Sequence, residues 1–148
     1  MAEVDAIPGS CLCGAVAFRV RGPFERFVLC HCSRCRKATA SAHAANLFTA
    51  PDHLHWLRGA GLVRRYQLPE ARSFSKCFCT QCGSALPYLS RDGTHLIVPA
   101  GVLDEDPGAV PDRQIFWDAR APWLDAGRRA PCFAGYPPPH WLPEVAEP

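Results

Sequence analysis

Three cysteines, Cys30, Cys32 and Cys35, lie within six consecutive residues of this chain. Thiolates this close together are typical of a metal site, and zinc is the metal that such cysteine clusters commonly bind. A structural zinc takes four protein ligands, whereas a catalytic zinc usually takes three and leaves one position for an exchangeable molecule. The three cysteines therefore predict a zinc site that is either open to a ligand from solution or closed by a further cysteine.

Four more cysteines form two short pairs, and a glycine follows each pair: Cys11 and Cys13, then Cys79 and Cys82. A residue without Cβ lets the backbone turn beneath the preceding sulfur, as in zinc knuckles. We expect Cys11 and Cys13 to lie in a strand, where alternate side chains share one face. The two pairs together predict a closed structural zinc site that joins the N-terminal strand to the middle of the chain.

Cys77 leaves two alternatives open for the first cluster. It could close that site as a fourth ligand, which would give two structural zincs, or the cluster could hold no metal at all. A residue two positions from a ligand of one zinc is poorly placed to serve another, so the spacing favours the open site. A thioredoxin-like redox motif is less well supported, because the segment after Cys35 predicts only about one helical turn.

Composition narrows the class of protein. The chain has 148 residues, 48% of them hydrophobic, a formal net charge of +2 and nine cysteines. We expect a single soluble domain, with neither a membrane span nor the basic surface that nucleic acid requires. The first ten residues lack the features of a secretory signal, so we expect a cytoplasmic protein with reduced thiols.

The elements that carry these cysteines are predicted to be short strands. Alternating apolar residues at 16, 18 and 20 predict one strand, and residues 24–30 predict a second that delivers Cys30. Further short β-branched and aromatic segments follow, separated by glycine and proline, which predicts a mainly β domain. We expect an N-terminal tail over residues 1–8, a zinc-binding domain over 9–137 and a proline-rich tail over 138–148, which the aromatics Phe133, Tyr136 and Trp141 could anchor.

Three basic residues, Arg34, Arg36 and Lys37, stand beside the first cluster. They suit pairing with the carboxylates of a substrate, and the alternative is an ordinary solvated turn. His31 lies between two candidate ligands, but strand alternation places it on the opposite face. We therefore expect His31 to have a packing role rather than to shuttle a proton.

Taken in order and spacing, these motifs resemble a known family. The segments "GSCLCGAVAF", "CHCSRCRKATAS", "FCTQCGSAL" and "QIFWDARAPWLDAGRRAPCFAGYP" are similar to those of the glutathione-dependent formaldehyde-activating enzymes, which share their domain with centromere protein V. The resemblance covers residues 9–137. Two departures stand out: the family usually has a glycine where this chain has Ala40, and Cys77 occupies a position where no ligand is expected.

The resemblance implies a β-tent, in which small antiparallel sheets are stapled by a structural zinc. It assigns that zinc to the two cysteine pairs, and it assigns a second, labile catalytic zinc to Cys30, Cys32 and Cys35. It also implies that the enzyme joins formaldehyde to glutathione as a carbon–sulfur lyase or synthase, giving S-hydroxymethylglutathione.

A second hypothesis is a zinc-stabilised binding module without catalytic activity. Under the first hypothesis the partner is a small thiol such as glutathione, and under the second it is another protein. Neither membrane nor nucleic acid is expected as a partner, and a homo-oligomer stays open as an alternative.

Overall fold

The computed structural model describes residues 6–143, which form short strands around a small core. The strands are β1 Ile7–Ser10, β2 Ala17–Val20, β3 Arg26–Cys30, β4 Ala44–Thr49, β5 Leu54–Arg58, β6 Val63–Gln67, β7 Ser75–Cys79, β8 Ala85–Leu86, β9 Tyr88–Leu89, β10 Leu96–Pro99 and β11 Arg113–Ile115. The α-helices are α1 Ser33–Thr39 and α2 Leu124–Arg128, and single turns of 3₁₀ helix lie at Pro51–His53, Ala60–Leu62, Ala100–Val102 and Trp117–Ala119. None of the helices in this part of the chain is long and apolar enough to cross a membrane.

The strands form three small sheets, in the orders β1-β2-β5, β11-β3-β4-β10-β9 and β6-β7-β8. Neighbouring strands are antiparallel, except that β11 runs parallel to β3. The largest buried side chains come from all three sheets and include Phe18, Leu47, Leu86 and Leu96. The prediction of a mainly β, single-domain fold of small sheets is confirmed.

Most of the predicted strands are present, and two were missed. Residues 1–5 of the expected N-terminal tail lie outside the described residues. The first missed strand is β1, in which Ile7 and Pro8 pair with Val20 and Arg19 of β2. Strand β5 was also missed; it follows directly after the 3₁₀ segment Pro51–His53.

The C-terminal segment differs from expectation in how its aromatics are placed. Phe133 packs edge-to-face on Trp141, with ring centroids 5.1 Å apart. Tyr136 is fully exposed, so it does not anchor the segment to the body. The last part of the predicted tail, residues 144–148, lies outside the described residues.

Gly59 marks a close approach between two backbone segments. Its φ is +74°, and a Cβ built on it would lie 2.1 Å from the carbonyl oxygen of Ala15. We expect Gly59→Ala to lower the free energy of unfolding by about 2–4 kcal/mol, since it combines a left-handed alanine with a backbone clash. Urea denaturation measures this change.

Gly61→Ala is the matched control, because a Cβ at Gly61 meets nothing within 4 Å and its φ is not in the left-handed region. Equal stability of the two variants would contradict this account of Gly59.

Ala40 ends α1 in an unfavourable conformation. It caps the helix with φ 52° and ψ 35°, the left-handed region that glycine adopts far more readily. We expect Ala40→Gly to stabilise the protein by about 0.5–1 kcal/mol, because the relief of backbone strain exceeds the added entropy of the unfolded chain. A higher urea midpoint with an unchanged m-value would show this, and a lower midpoint would contradict it.

Candidate metal centres and the adjoining pocket

Two pairs of cysteines meet between the first and third sheets. Cys11 and Cys13 lie in the turn between β1 and β2, Cys79 ends β7, and Cys82 lies in the turn that follows. Their four Sγ atoms are all within 4.8 Å of one another, and the measured contacts are 3.5 Å for Cys11–Cys13 and 4.0 Å for Cys13–Cys79. Four sulfurs bound to one zinc at about 2.3 Å would lie roughly 3.8 Å apart. The cluster therefore has the donor chemistry and the spacing of a closed zinc site, and we call it the four-cysteine cluster.

Similar turns build the two halves of the four-cysteine cluster. The Gly14 N–H donates to the Cys11 carbonyl at 2.9 Å, and the Gly83 N–H donates to the Cys79 carbonyl at 2.8 Å. Both glycines have a positive φ, of 77° and 76° respectively, as the glycine after each pair predicted. The pKa of the Cys82 thiol is lowered to about 5, mainly by a hydrogen bond with the Ser84 hydroxyl and next by one with the Ser84 backbone. The low pKa favours the thiolate that a metal requires.

Cys11 and Cys13 are not in a strand, which corrects the expectation from the sequence. They lie in the turn that Gly14 closes. Two residues of a strand separated by one position lie roughly 6–7 Å apart, which is too far for their sulfurs to touch. The turn is what brings these two sulfurs to within 3.5 Å.

The second group, which we call the three-cysteine cluster, lies where β3 meets α1. Cys30 is the last residue of β3, Cys32 is the N-cap of α1, and Cys35 lies in its first turn. Their Sγ atoms are within 4.8 Å of one another, and the Cys35 N–H points to the Cys32 sulfur at 3.4 Å. Interaction with the Cys35 thiol, more than any other contact, lowers the pKa of Cys30 to about 6. The soft donors and their spacing suit zinc with one position left free.

Within residues 6–143, Cys77 belongs to neither the four-cysteine cluster nor the three-cysteine cluster. It is buried on β7 opposite Arg65 of β6, and burial raises the pKa of its thiol. The alternative in which Cys77 closes the three-cysteine cluster therefore finds no support in this geometry.

The three basic residues of α1 occupy different surroundings. Arg36 is half-buried, and its Nη1 donates to the Ala119 carbonyl at 3.0 Å, which ties α1 to the C-terminal segment. Arg34 and Lys37 are exposed, and their spacing of three positions places them on one face of the helix. Two cations are thus available to solvent beside the three-cysteine cluster.

His31 is fully buried, so the expected packing role fits the structure. Its Nε2 donates to Oε1 of Gln114 at 2.9 Å, and its ring packs edge-to-face on Trp117 and His43, with centroids 5.1 and 5.0 Å away. The His31 N–H also donates to the Ile115 carbonyl at 3.0 Å, which continues the pairing of β11 with β3. These contacts support the end of β3 that carries Cys30.

A small cavity of about 70 Å³ adjoins the three-cysteine cluster, between α1, β4, β7 and the β8–β9 segment. Cys35 of the cluster lines it together with Asn46, Cys77 and Tyr88. Burial raises the pKa of the Tyr88 phenol, and the nearby Cys35 contributes to the same shift, so this hydroxyl stays protonated. Sequence reasoning assigned no role to Tyr88, because nothing in the residue types around it indicates a cavity.

Arg91 fixes one wall of this cavity. Its guanidinium donates to the Leu68 and Phe74 carbonyls at 2.8 and 2.9 Å and to the Ala71 carbonyl at 2.8 Å. The same group reaches the Ser75 hydroxyl at 3.3 Å. One side chain therefore holds the loop that leads into β7, and no local sequence pattern predicts this contact.

A wider groove of about 610 Å³ lies beside the four-cysteine cluster, and it shares Thr39, Ala45, Ala85 and Pro99 with the small cavity. Asp104 is the single charged residue among those that line the groove. A ligand with carboxylates is therefore favoured at the α1 surface rather than in this groove.

Comparison with known proteins agrees with this architecture. Residues 6–119 match the family model described as "Glutathione-dependent formaldehyde-activating enzyme". A protein of Halomonas elongata, provisionally named as a glutathione-dependent formaldehyde-activating enzyme, is 36% identical over 140 residues, which cover 88% of each chain.

A solved crystal structure has a similar fold. The crystal structure of a Rhodobacter sphaeroides protein superposes with a TM-score of 0.56 at 28% identity, covering 71% of this chain and 98% of that one. The family match spans most of the described residues and includes both cysteine clusters. The chain therefore belongs to the glutathione-dependent formaldehyde-activating enzyme family.

Proposed function

We propose that this chain joins a small thiol, glutathione, to formaldehyde at the three-cysteine cluster, giving S-hydroxymethylglutathione as a carbon–sulfur lyase or synthase. The observation that carries the proposal is a group of three converging sulfurs, without a fourth among residues 6–143, beside a cavity. The family match and the name of the Halomonas elongata relative supply the reaction.

We assign a structural zinc to the four-cysteine cluster and a catalytic, labile zinc to the three-cysteine cluster. Zinc in the second cluster would lower the pKa of a bound thiol and so favour the glutathione thiolate at neutral pH. Cys30, Cys32 and Cys35 would hold the metal. The hydrogen bond from the Cys35 N–H to the Cys32 sulfur, at 3.4 Å, orients one of these ligands.

The bond changes of the reaction are simple. The glutathione sulfur adds to the carbonyl carbon, the C=O π bond breaks, and the carbonyl oxygen gains the proton that the thiol has lost. Formaldehyde is a strong electrophile, so holding and ionising the thiol supplies much of the catalysis. Arg34 and Lys37 bind the glutathione carboxylates in this proposal, and Arg36 adds positive charge while it holds α1 against Ala119.

The central experiment measures the exchange of formaldehyde between its free and glutathione-bound forms by NMR. We expect the zinc-loaded protein to accelerate the spontaneous reaction by about tenfold or more, because it holds both reactants at one site. We expect Cys35→Ser to abolish the acceleration. An unaccelerated rate with fully zinc-loaded wild-type protein would refute the proposed reaction.

Metal content tests the assignment of ligands separately from activity. We expect two zinc ions per wild-type chain, two in Cys77→Ser and one in Cys35→Ser, because Cys77 lies in neither cluster. Elemental analysis of the purified proteins measures this. Loss of one zinc from Cys77→Ser would show instead that Cys77 is a ligand.

The role of the exposed basic residues is tested with two thiols. We expect the double variant Arg34→Gln/Lys37→Gln to raise the KM for glutathione about three- to tenfold, since each exposed ion pair contributes up to about 1 kcal/mol. The KM for 2-mercaptoethanol, which has no carboxylate, should stay unchanged. Arg64→Gln, at an exposed position on β6, is the matched control. An equal rise for both thiols would contradict a role in carboxylate binding.

A non-catalytic binding module is the second candidate. The observation that favours it is the set of exposed aromatics in the C-terminal part of the chain, including Phe116, Trp123 and Tyr136. Exposed apolar groups of this size are common at protein interfaces. Zinc-loaded protein that binds two metals but accelerates no reaction would favour this candidate.

A further inference from the structure

The small cavity beside Cys35 has more room than formaldehyde needs. Its volume is about 70 Å³. About 10–15 Å³ of such cavity space is enough for one water molecule, and formaldehyde, with two heavy atoms, is only a little larger. The cavity therefore has room for a carbonyl compound of three or four heavy atoms.

The lining of this cavity is mostly apolar and made of small residues. Ala38 comes from α1, Ala45 from β4 and Ala85 from β8, while Leu86 and Pro99 close other sides. Small apolar walls suit the alkyl end of a short aldehyde, because they exclude water and leave space.

Polar side chains also line the cavity. The Lys76 Nζ donates to the Ala38 carbonyl at 3.1 Å, and the Ser75 hydroxyl accepts from Arg91 at 3.3 Å. The side chains of Tyr88 and Asn46 line the same cavity. Of these two, only the phenol can transfer a proton, since an amide is far too weak an acid.

We propose that this cavity binds aldehydes with two or three carbons, and that Tyr88 is the catalytic residue that protonates their carbonyl oxygen as the thiol adds. The proposal rests on the proposed function, since the thiol is delivered by the three-cysteine cluster. It widens the substrate class from formaldehyde to short aliphatic aldehydes.

The atoms balance without a further reactant. A carbon–sulfur bond forms as the C=O π bond breaks, and the Tyr88 hydroxyl proton passes to the oxygen. The proton that the thiol released to solvent then restores the phenol, so neither oxidant nor reductant is consumed. Formaldehyde reacts by the same step but leaves part of the cavity empty.

The size of the cavity sets a limit on the substrate. Acetaldehyde has three heavy atoms and propanal four, whereas benzaldehyde has eight; at about 10–15 Å³ for each water-sized group, a cavity of about 70 Å³ holds roughly five to seven such groups. We therefore expect wild-type protein to accelerate the addition of glutathione to acetaldehyde and propanal, but not to benzaldehyde.

Two variants separate the chemical role of Tyr88 from the shape of the cavity. Tyr88→Phe removes one oxygen and keeps the ring, so we expect kcat to fall about a hundredfold for formaldehyde and acetaldehyde alike, as for other general acids. Ala45→Val fills part of the cavity, so we expect kcat/KM for acetaldehyde relative to formaldehyde to fall about tenfold. Ala126→Val, at an exposed position on α2, is the matched control.

Binding to the cavity can be measured without zinc or catalysis by using acetone as the probe. Acetone is a carbonyl compound of four heavy atoms, and thiols add to it poorly. We expect saturation-transfer NMR to show acetone bound to wild-type protein and to Ala126→Val, and to show a much weaker signal with Ala45→Val. Urea denaturation confirms that each variant is folded.

The outcomes separate this inference from the proposed function. Acceleration with formaldehyde alone, together with no acetone signal, overturns the inference and leaves the proposed function standing. Acceleration with acetaldehyde but not formaldehyde supports the inference and overturns the specific substrate proposed above. A Tyr88→Phe variant with wild-type kcat for every aldehyde overturns the catalytic role of Tyr88. Failure with every aldehyde overturns the proposed function and the catalytic inference together.

Discussion

The convergence of four cysteine sulfurs within 4.8 Å is the constraint on which the rest of this structure depends. Those sulfurs belong to the turn after β1 and to the end of β7, so they join the first sheet to the third. Hydrogen bonds at the same place, such as Leu12 N–H to the Ser84 hydroxyl at 2.9 Å, lie near the surface and are individually weak. In our proposal zinc supplies the stronger link. Because β7 also forms a wall of the small cavity, the position of that wall depends on the same junction.

The chain uses the spacing C-x-C-x-x-C twice, and the local backbone explains why the two copies act differently. In the first copy the strand ends at Cys30, and Cys32 caps a helix, so all three sulfurs turn towards one point. In the second copy the strand continues from Cys77 to Cys79. Extended backbone keeps such residues roughly 6–7 Å apart, which leaves Cys77 outside the cluster that Cys79 joins.

This contrast shows how far the sequence could predict the site. The cysteine motifs and their glycines were sufficient to group the cysteines, because those signals depend on residue type and short spacing. The strand that we expected around Cys11 and Cys13 is a turn, so the grouping was correct while its local structure was wrong. Tyr88 and Arg91 could not have been found in this way, since their roles depend on contacts with segments distant in sequence.

The electrostatics of the three-cysteine cluster give a reason for its place at the start of α1. In our proposal, zinc held by three cysteine thiolates and a substrate thiolate would carry a formal charge of minus two, to which glutathione would add its carboxylates. Backbone N–H groups at the start of a helix are free to face such charge, and the Cys35 N–H already points at the Cys32 sulfur. The exposed Arg34 and Lys37 lie on the same short helix. One element therefore provides ligands, donors and cations together, and the remaining neighbour of the site, Tyr88, is a neutral donor whose proton the apolar cavity helps to retain.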